Sequence, residues 1–260
     1  MAERSFTRRR LERIVDDALR SAGVLGVVPT PLEALRAVAG LRAVEPIEQL
    51  PARLATAPKP LLGALWFEER TVYVDASQSA PRRRFTEAHE LIHALCPWHE
   101  PVLRLDTEDE LFRPVRAAIE AEANAGAGML IFQGRDLARR AGAEPPSLGR
   151  ALELAAAYGA SAHATLHHLA ETHPAVTALL TVGRFPQRDG GLPVWRAHTS
   201  AAFGHARFPA VLAPGTALHE LAEAARRAGR AATALDLEGR RGRAEAYDNR
   251  HAFLVLVTAA

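Results

Sequence analysis

The chain of 260 residues has one cysteine, Cys96, and one lysine, Lys59. A single cysteine excludes a disulfide within the chain, which fits a reducing compartment. With lysine nearly absent, the basic charge is arginine that stays protonated at any working pH. A sequence pI of about 9.1 therefore accompanies a formal charge of only +2. That balance reads as compositional bias and not as a nucleic-acid footprint. No apolar run approaches the ~18–20 residues of a membrane span, and the opening MAERSFTRRRLER lacks the apolar core of a secretory signal. A cytoplasmic protein with no membrane partner is expected. What the chain does have is apolar content: at 48% it can bury one large core or two to three small ones.

Periodicity places the elements. Residues 5–21 carry Leu11, Ile14, Val15 and Leu19 at helical spacing, which predicts an amphipathic helix. Thr30 before Pro31 predicts an N-cap and first helical position, with Gly40 as the stop. LLGALWF and TVYVDAS, joined by Glu68, Glu69 and Arg70, predict a hairpin. A helix is then expected from Pro81 or Arg82 to just before Pro97, with Phe85, Ala88, Ile92 and Leu95 as its core stripe. After an acidic loop, DTEDE, a second long helix is expected over about 115–132, burying Ile119, Ala123 and Leu130.

The first of these helices carries RRRFTEAHELIHALCPWHE, residues 82–100. Positions four apart share a helical face, so His89 and His93 can point at one spot, with Glu90 beside them. This is the HExxH arrangement: two neutral imidazoles hold a divalent ion, and the carboxylate serves as base without binding it. The bland reading is a pair of surface histidines flanking a core stripe. A hydrolytic zinc site needs a third protein ligand, and a His₂Glu set takes its Glu from a later helix. Glu120 and Glu122 in IEAEANAGAGML both qualify by periodicity; Asn124, one turn beyond Glu120, could orient a ligand and favours Glu120. Tyr73 and His99 are candidate oxyanion donors, and the strand over Thr71–Val74 a candidate for pairing with an extended peptide. Cys96 could face the ion but reads better as a small buried hydrophobe.

FTEAHELIH followed by IEAEANAGAGMLI resembles the ImmA/IrrE family of zincin-like metallopeptidases, whose members pair FTxAHExGH with an ExEANxFAxxLL helix. The likeness covers the first ~145 residues. It implies His89, His93 and Glu120 as ligands of Zn²⁺ and Glu90 as the catalytic base; a His₂Glu set also accepts Mn²⁺. It also implies cleavage of an Xre-type (DdrO-like) repressor that controls a DNA-damage and radiation-response regulon. Two positions depart from the pattern: Ile92 stands where the family usually has Gly, and Ala125–Gly128 replaces a bulkier xFAA.

The fold class expected is α+β multidomain: a zincin-like metallopeptidase domain over 1–145, a helix-turn-helix-like region over 146–174 and an α+β domain over 175–260 that the resemblance implies is GAF-like. The stretch 134–150, with Gly142, Pro145, Pro146 and Gly149, reads as a boundary. Ala155 and Gly159 have the offset of DNA-binding helix pairs, yet the second helix, SAHATLHHLAE, contains no Lys or Arg for phosphate contacts. His163, His167 and His168 are expected at the surface. Beyond 175, AVTALLTVGRF, LPVWRAH, ATALDLEG, RAEAY and HAFLVLV read as strands with a helix at about 215–228. Trp195, Phe203, Phe208 and Phe253 are expected in the core, and the sequence names no ligand for this domain. The rival reading, from a different class, is a DNA-binding regulator or scaffold with a structural or vestigial metal site.

Overall fold

The computed structural model describes residues 2–51, 61–103, 113–175, 177–203, 208–237 and 240–259, and DTEDE lies outside them. The chain divides into two compact units, Met1–Asp136 with Ala157–Ala160, and Leu137–Ala156 with Ser161–Ala260. Among the described residues, no helix is long and apolar enough to cross a membrane.

The first unit begins with helices α1 (Ala2–Ser21) and α2 (Leu32–Val38). Leu11, Val15, Ala18 and Leu19 form the buried stripe of α1, at the expected spacing. Strands β1 (Ala43–Pro46), β2 (Gly63–Trp66) and β3 (Thr71–Val74) form a sheet in the order β1-β3-β2. The β2–β3 hairpin pairs Gly63 with Val74 and Trp66 with Thr71, and Arg70 takes a positive φ of 54° in its turn. β1 runs parallel to β3, a pairing that the four residues of β1 do not announce. Thr71–Val74 is therefore the central strand, paired on both sides, and is not available to an extended peptide. The edge next to the histidine helix belongs to β2.

Helices α3 (Ala80–Leu95), α4 (His99–Leu103) and α5 (Arg113–Phe132) complete this unit. Ile119, Ala123 and Leu130 of α5 are buried as their spacing predicts. Thr30 is not the N-cap of α2, a position held by Pro31. Its hydroxyl lies 3.1 Å from both Leu130 O and Ile131 O, within reach of the free carbonyls at the end of α5. Gln133, at φ 52°, comes next. Its amide accepts from Gly26 N at 2.6 Å and donates to Val27 O at 2.7 Å, tying the loop before α2 to the end of α5.

Nearby, the Tyr158 hydroxyl donates to Asp136 Oδ2 at 2.6 Å, both residues being buried, while the Tyr158 ring packs on Phe132. Tyr158→Phe removes that donor at nearly constant volume. Removing one partner of a buried polar pair costs roughly 1–3 kcal/mol. Loss of about that much stability is expected, read as a lower urea midpoint at unchanged m-value.

The second unit contains α6 (Asp136–Ala141) from its second residue, α7 (Leu148–Tyr158) up to Ala156 and α8 (Ala162–Thr172). A short helix thus occupies part of the stretch that composition marks as a boundary loop. Beyond it lie β4 (Thr177–Gly183), β5 (Leu192–Thr199), β6 (Val211–Leu212), α9 (Ala217–Ala228), β7 (Arg230–Leu237), β8 (Arg240–Asp248) and β9 (Ala252–Ala259). The six strands are antiparallel neighbours in the order β6-β5-β4-β9-β8-β7. β4 and β9 sit at the centre, which explains their unbroken apolar runs: every described position of β4 is buried and all but one of β9. α9 contributes Leu221, Ala222 and Ala225 to the core that holds Phe253 and Val255.

α8 lies against β4 and β5, and Ser161 caps it by accepting from Ala164 N at 3.1 Å. Its histidines are less exposed than expected, one buried and two partly so. His168 is buried, His163 Nε2 stands 3.3 Å from Thr181 Oγ1, and the ring of His167 packs edge-on against His198 at 4.1 Å. Burial first, then His163 and Arg196, pushes His167 down to about 4. Trp195 is also not in the core: it is 56% exposed, its indole lying over Gly183, where an added Cβ would come within 2.9 Å of the ring.

Candidate metal centre

The site is built by two helices and the turn between them. α3 starts after Ser79 with Pro81 in its first turn, where no backbone N–H is needed, and ends at Cys96, which is extended as a residue before proline prefers. Ala88, Leu91 and Ile92 are buried, while Phe85 and Leu95 are half-buried, so the core stripe sits on the face expected. Against this stripe α5 presents Gly126, which has no side chain to separate the helices. That close approach brings Glu120 to the two histidines.

His89 Nε2 stands 3.0 Å from His93 Nε2 and 3.1 Å from Glu120 Oε2, and His93 Nε2 lies 3.7 Å from Glu120 Oε1. Among the described residues, these three are the set of His, Cys, Asp or Glu whose donor atoms all fall within 4.8 Å of one another. Nitrogens sharing one zinc at about 2.0–2.1 Å each, tetrahedrally, stand roughly 3.3 Å apart. The donor set and its spacing therefore fit a divalent ion of the zinc type. Each imidazole is also held from behind. His89 Nδ1 is 3.2 Å from Asn124 Oδ1, and His93 Nδ1 is 2.9 Å from His99 Nδ1. Both Nε2 atoms are left facing Glu120.

The electrostatics suit ligation. His93 is buried, and burial together with His89 pushes it down to about 3, so it is a neutral imidazole at physiological pH. Burial also pushes His89 down, but its hydrogen bond to Glu120 and the charges of Glu90 and Glu120 outweigh it, and the net direction is up. Glu120 is held below the ordinary carboxylate range, chiefly by its hydrogen bond to His89. Glu90 differs: burial raises it to about 7, with Glu120 adding to the shift and His89 opposing it. A carboxyl poised near neutrality can both take and return a proton.

The other sequence candidates fall elsewhere. Glu122, the alternative ligand, accepts instead from Trp98 Nε1 at 2.9 Å and meets His99 Nε2 at 3.1 Å. His99 has both ring nitrogens engaged and is fully buried, so it is not an oxyanion donor. Tyr73 lies on the central strand, its phenol raised by burial and by the charges of Glu69 and Glu45, not by groups of the site. The Cys96 thiol is buried and pushed up to about 12, which makes it a small hydrophobe and not a thiolate ligand. Sequence reasoning missed Trp98 and the backing role of His99. The turn at Pro97 and the short α4 carry them back under His93, and no periodic signal marks that path.

No curated protein matches the chain. Among solved structures, it is similar to a Mycobacterium tuberculosis transcriptional regulator at 15% identity and a TM-score of 0.59, over 96% of this chain and 75% of that one, a likeness of fold. Residues 52–170, which hold His89, Glu90, His93 and Glu120, match the model of the peptidase family described as the IrrE N-terminal-like domain.

Proposed function

We propose that the chain is a regulatory metallopeptidase of the ImmA/IrrE type, close to IrrE (PprI), that cleaves an Xre-type, DdrO-like repressor and so induces a DNA-damage response regulon. The observation that carries the reading is the convergence of His89, His93 and Glu120 within 4.8 Å, on a helix pair inside the matched peptidase region. Zn²⁺, or Mn²⁺, is the ion proposed for that set. When bound, such an ion supplies a Lewis acid and lowers the pKa of water to around 7.

Glu90 is the proposed base. Its carboxylate accepts a proton from the attacking water and returns it to the leaving amine, a role that its pKa near 7 permits. The substrate strand is assigned to the edge of β2, since β3 is paired on both sides. Gly63 supports this: an added Cβ there would stand 2.3 Å from Thr86 Cγ2 and 3.1 Å from Glu90 Oε1, so β2 runs directly past the base. An extended peptide hydrogen-bonded to that edge brings its backbone to Glu90. The division into peptidase-like, helix-turn-helix-like and GAF-like parts belongs to the same proposal, with the signal read by residues 175–260 left to experiment.

The test is incubation of the zinc-loaded protein with a purified Xre-type repressor. Discrete fragments that vanish with a chelator are expected. An intact repressor, accompanied by a salt-dependent shift of promoter DNA, would instead favour a regulator or scaffold with a structural metal site. A second readout needs no substrate. Zn²⁺ at about 100 times its dissociation constant stabilises the folded state by about 2.7 kcal/mol, so chelation is expected to lower Tm.

A further inference from the structure

With His89, His93 and Glu120 as ligands, the reading on which this inference rests, the groups behind His93 decide which of its nitrogens is open to the ion. His93 Nδ1 and His99 Nδ1 are 2.9 Å apart, and His99 Nε2 is 3.1 Å from Glu122 Oε2. Trp98 Nε1 reaches the same Oε2 at 2.9 Å, and the Arg10 guanidinium lies 3.6 Å over the Trp98 ring. Two ring nitrogens this close share one proton: two would clash, and none would leave lone pairs opposed. The direction of sharing is set at the far end of the relay. The indole N–H can only donate, so Glu122 Oε2 is an acceptor. His99 Nε2 must then carry the proton that points to it, and Nδ1 of the same ring is the acceptor left to face His93. His93 Nδ1–H donates to that nitrogen, and His93 Nε2 is left unprotonated, facing His89 and Glu120.

We propose that Glu122 and His99 are positioning residues, a two-step hydrogen-bond relay that fixes His93 in its Nδ1–H tautomer so that Nε2 is open to the ion. Helix α5 thus supplies one ligand, Glu120, and two residues later the anchor that prepares another. Asn124 backs His89 in a single step, its amide oxygen accepting from Nδ1.

Long-range ¹H–¹⁵N spectra of the metal-free, full-length protein read the tautomer directly. The wild type is expected to give His93 as Nδ1–H; His93 as Nε2–H would overturn the relay without any variant being made. His99→Phe and Glu122→Leu, similar in size to the residues replaced, are expected to mix the His93 tautomers and weaken Zn²⁺ binding about 10–100-fold in competition with a chelating indicator. His99→Gln, whose amide can both accept from His93 and donate to Glu122, is expected to restore the Nδ1–H form and most of the affinity. A folded His99→Phe protein with an unchanged His93 spectrum and wild-type affinity sinks the proposal. Should the wild type bind no ion at all, the metal reading fails on its own, and the metal-free spectra still judge the relay.

Discussion

Glu90→Gln is expected to bind Zn²⁺ as the wild type does and to lose repressor cleavage by about 10²–10⁴-fold, the usual contribution of a positioned general base. The two effects separate because the three converging donors are His89, His93 and Glu120, while Glu90 lies beside them. Its carboxylate is buried, with only 8% of the residue exposed, and faces the glycine of the edge strand. Glutamine keeps the shape and the packing against Gly63 but cannot take a proton. Metal content by elemental analysis and fragment yield from the same preparation form the pair of measurements. Undiminished cleavage by the variant would remove Glu90 from the mechanism; loss of the ion would make it a ligand and not a base.

The second large effect concerns how α3 and α5 come together. An added Cβ on Gly126 would stand 2.7 Å from Ile92 Cδ1, 2.8 Å from Cγ1 and 3.0 Å from Cγ2. The ImmA/IrrE pattern that the chain resembles has glycine where Ile92 stands and phenylalanine where Gly126 stands. The two departures from that pattern therefore fall on positions that share one space between α3 and α5, which Ile92 fills here. Gly126→Phe alone drives a ring into Ile92. It is expected to cost at least about 3 kcal/mol, the upper end of overpacking in a core. Adding Ile92→Gly empties the space that the ring needs, and the double variant is expected to recover all but the ~1 kcal/mol of placing glycine inside a helix. Urea midpoints of the four proteins close a double-mutant cycle. Additive costs would mean that the two positions do not share the gap.

Much of the site was legible because its signals are local. The pair His89 and His93 is one helical turn, so its common face comes from spacing alone. The ends of α3 are set by Pro81 and Pro97, and the buried line of α5 by Ile119, Ala123 and Leu130. The same holds for the five longer strands of the second unit, which their own residues mark as strands, β4 and β9 by unbroken apolar runs. Legibility stopped where a residue's role depended on a neighbour distant in sequence. Thr71–Val74 reads as a strand from its residues, but whether it is central or at an edge depends on β1, about 28 residues earlier by register. Thr30 has the side chain of an N-cap, and the free carbonyls of α5 about 100 residues later claim its hydroxyl instead. His163 and His167 look solvent-facing on a polar helix until β4 and β5 pack over them.

By itself the sequence determined the pairing of His89 with His93 on one helical face, the carboxyl of Glu90 beside them and the α+β character of the chain. These rest on helical geometry and on donor chemistry, which neighbouring residues define. Only the tertiary structure decided between Glu120 and Glu122, whose spacing in α5 admits either. It brought Glu120 to His89 and His93, and Glu122 to His99 and Trp98. That choice depends on how closely α3 and α5 approach, hence on the volume of Ile92 against Gly126, and contact between side chains more than 30 residues apart is a property of packing that no local spacing encodes.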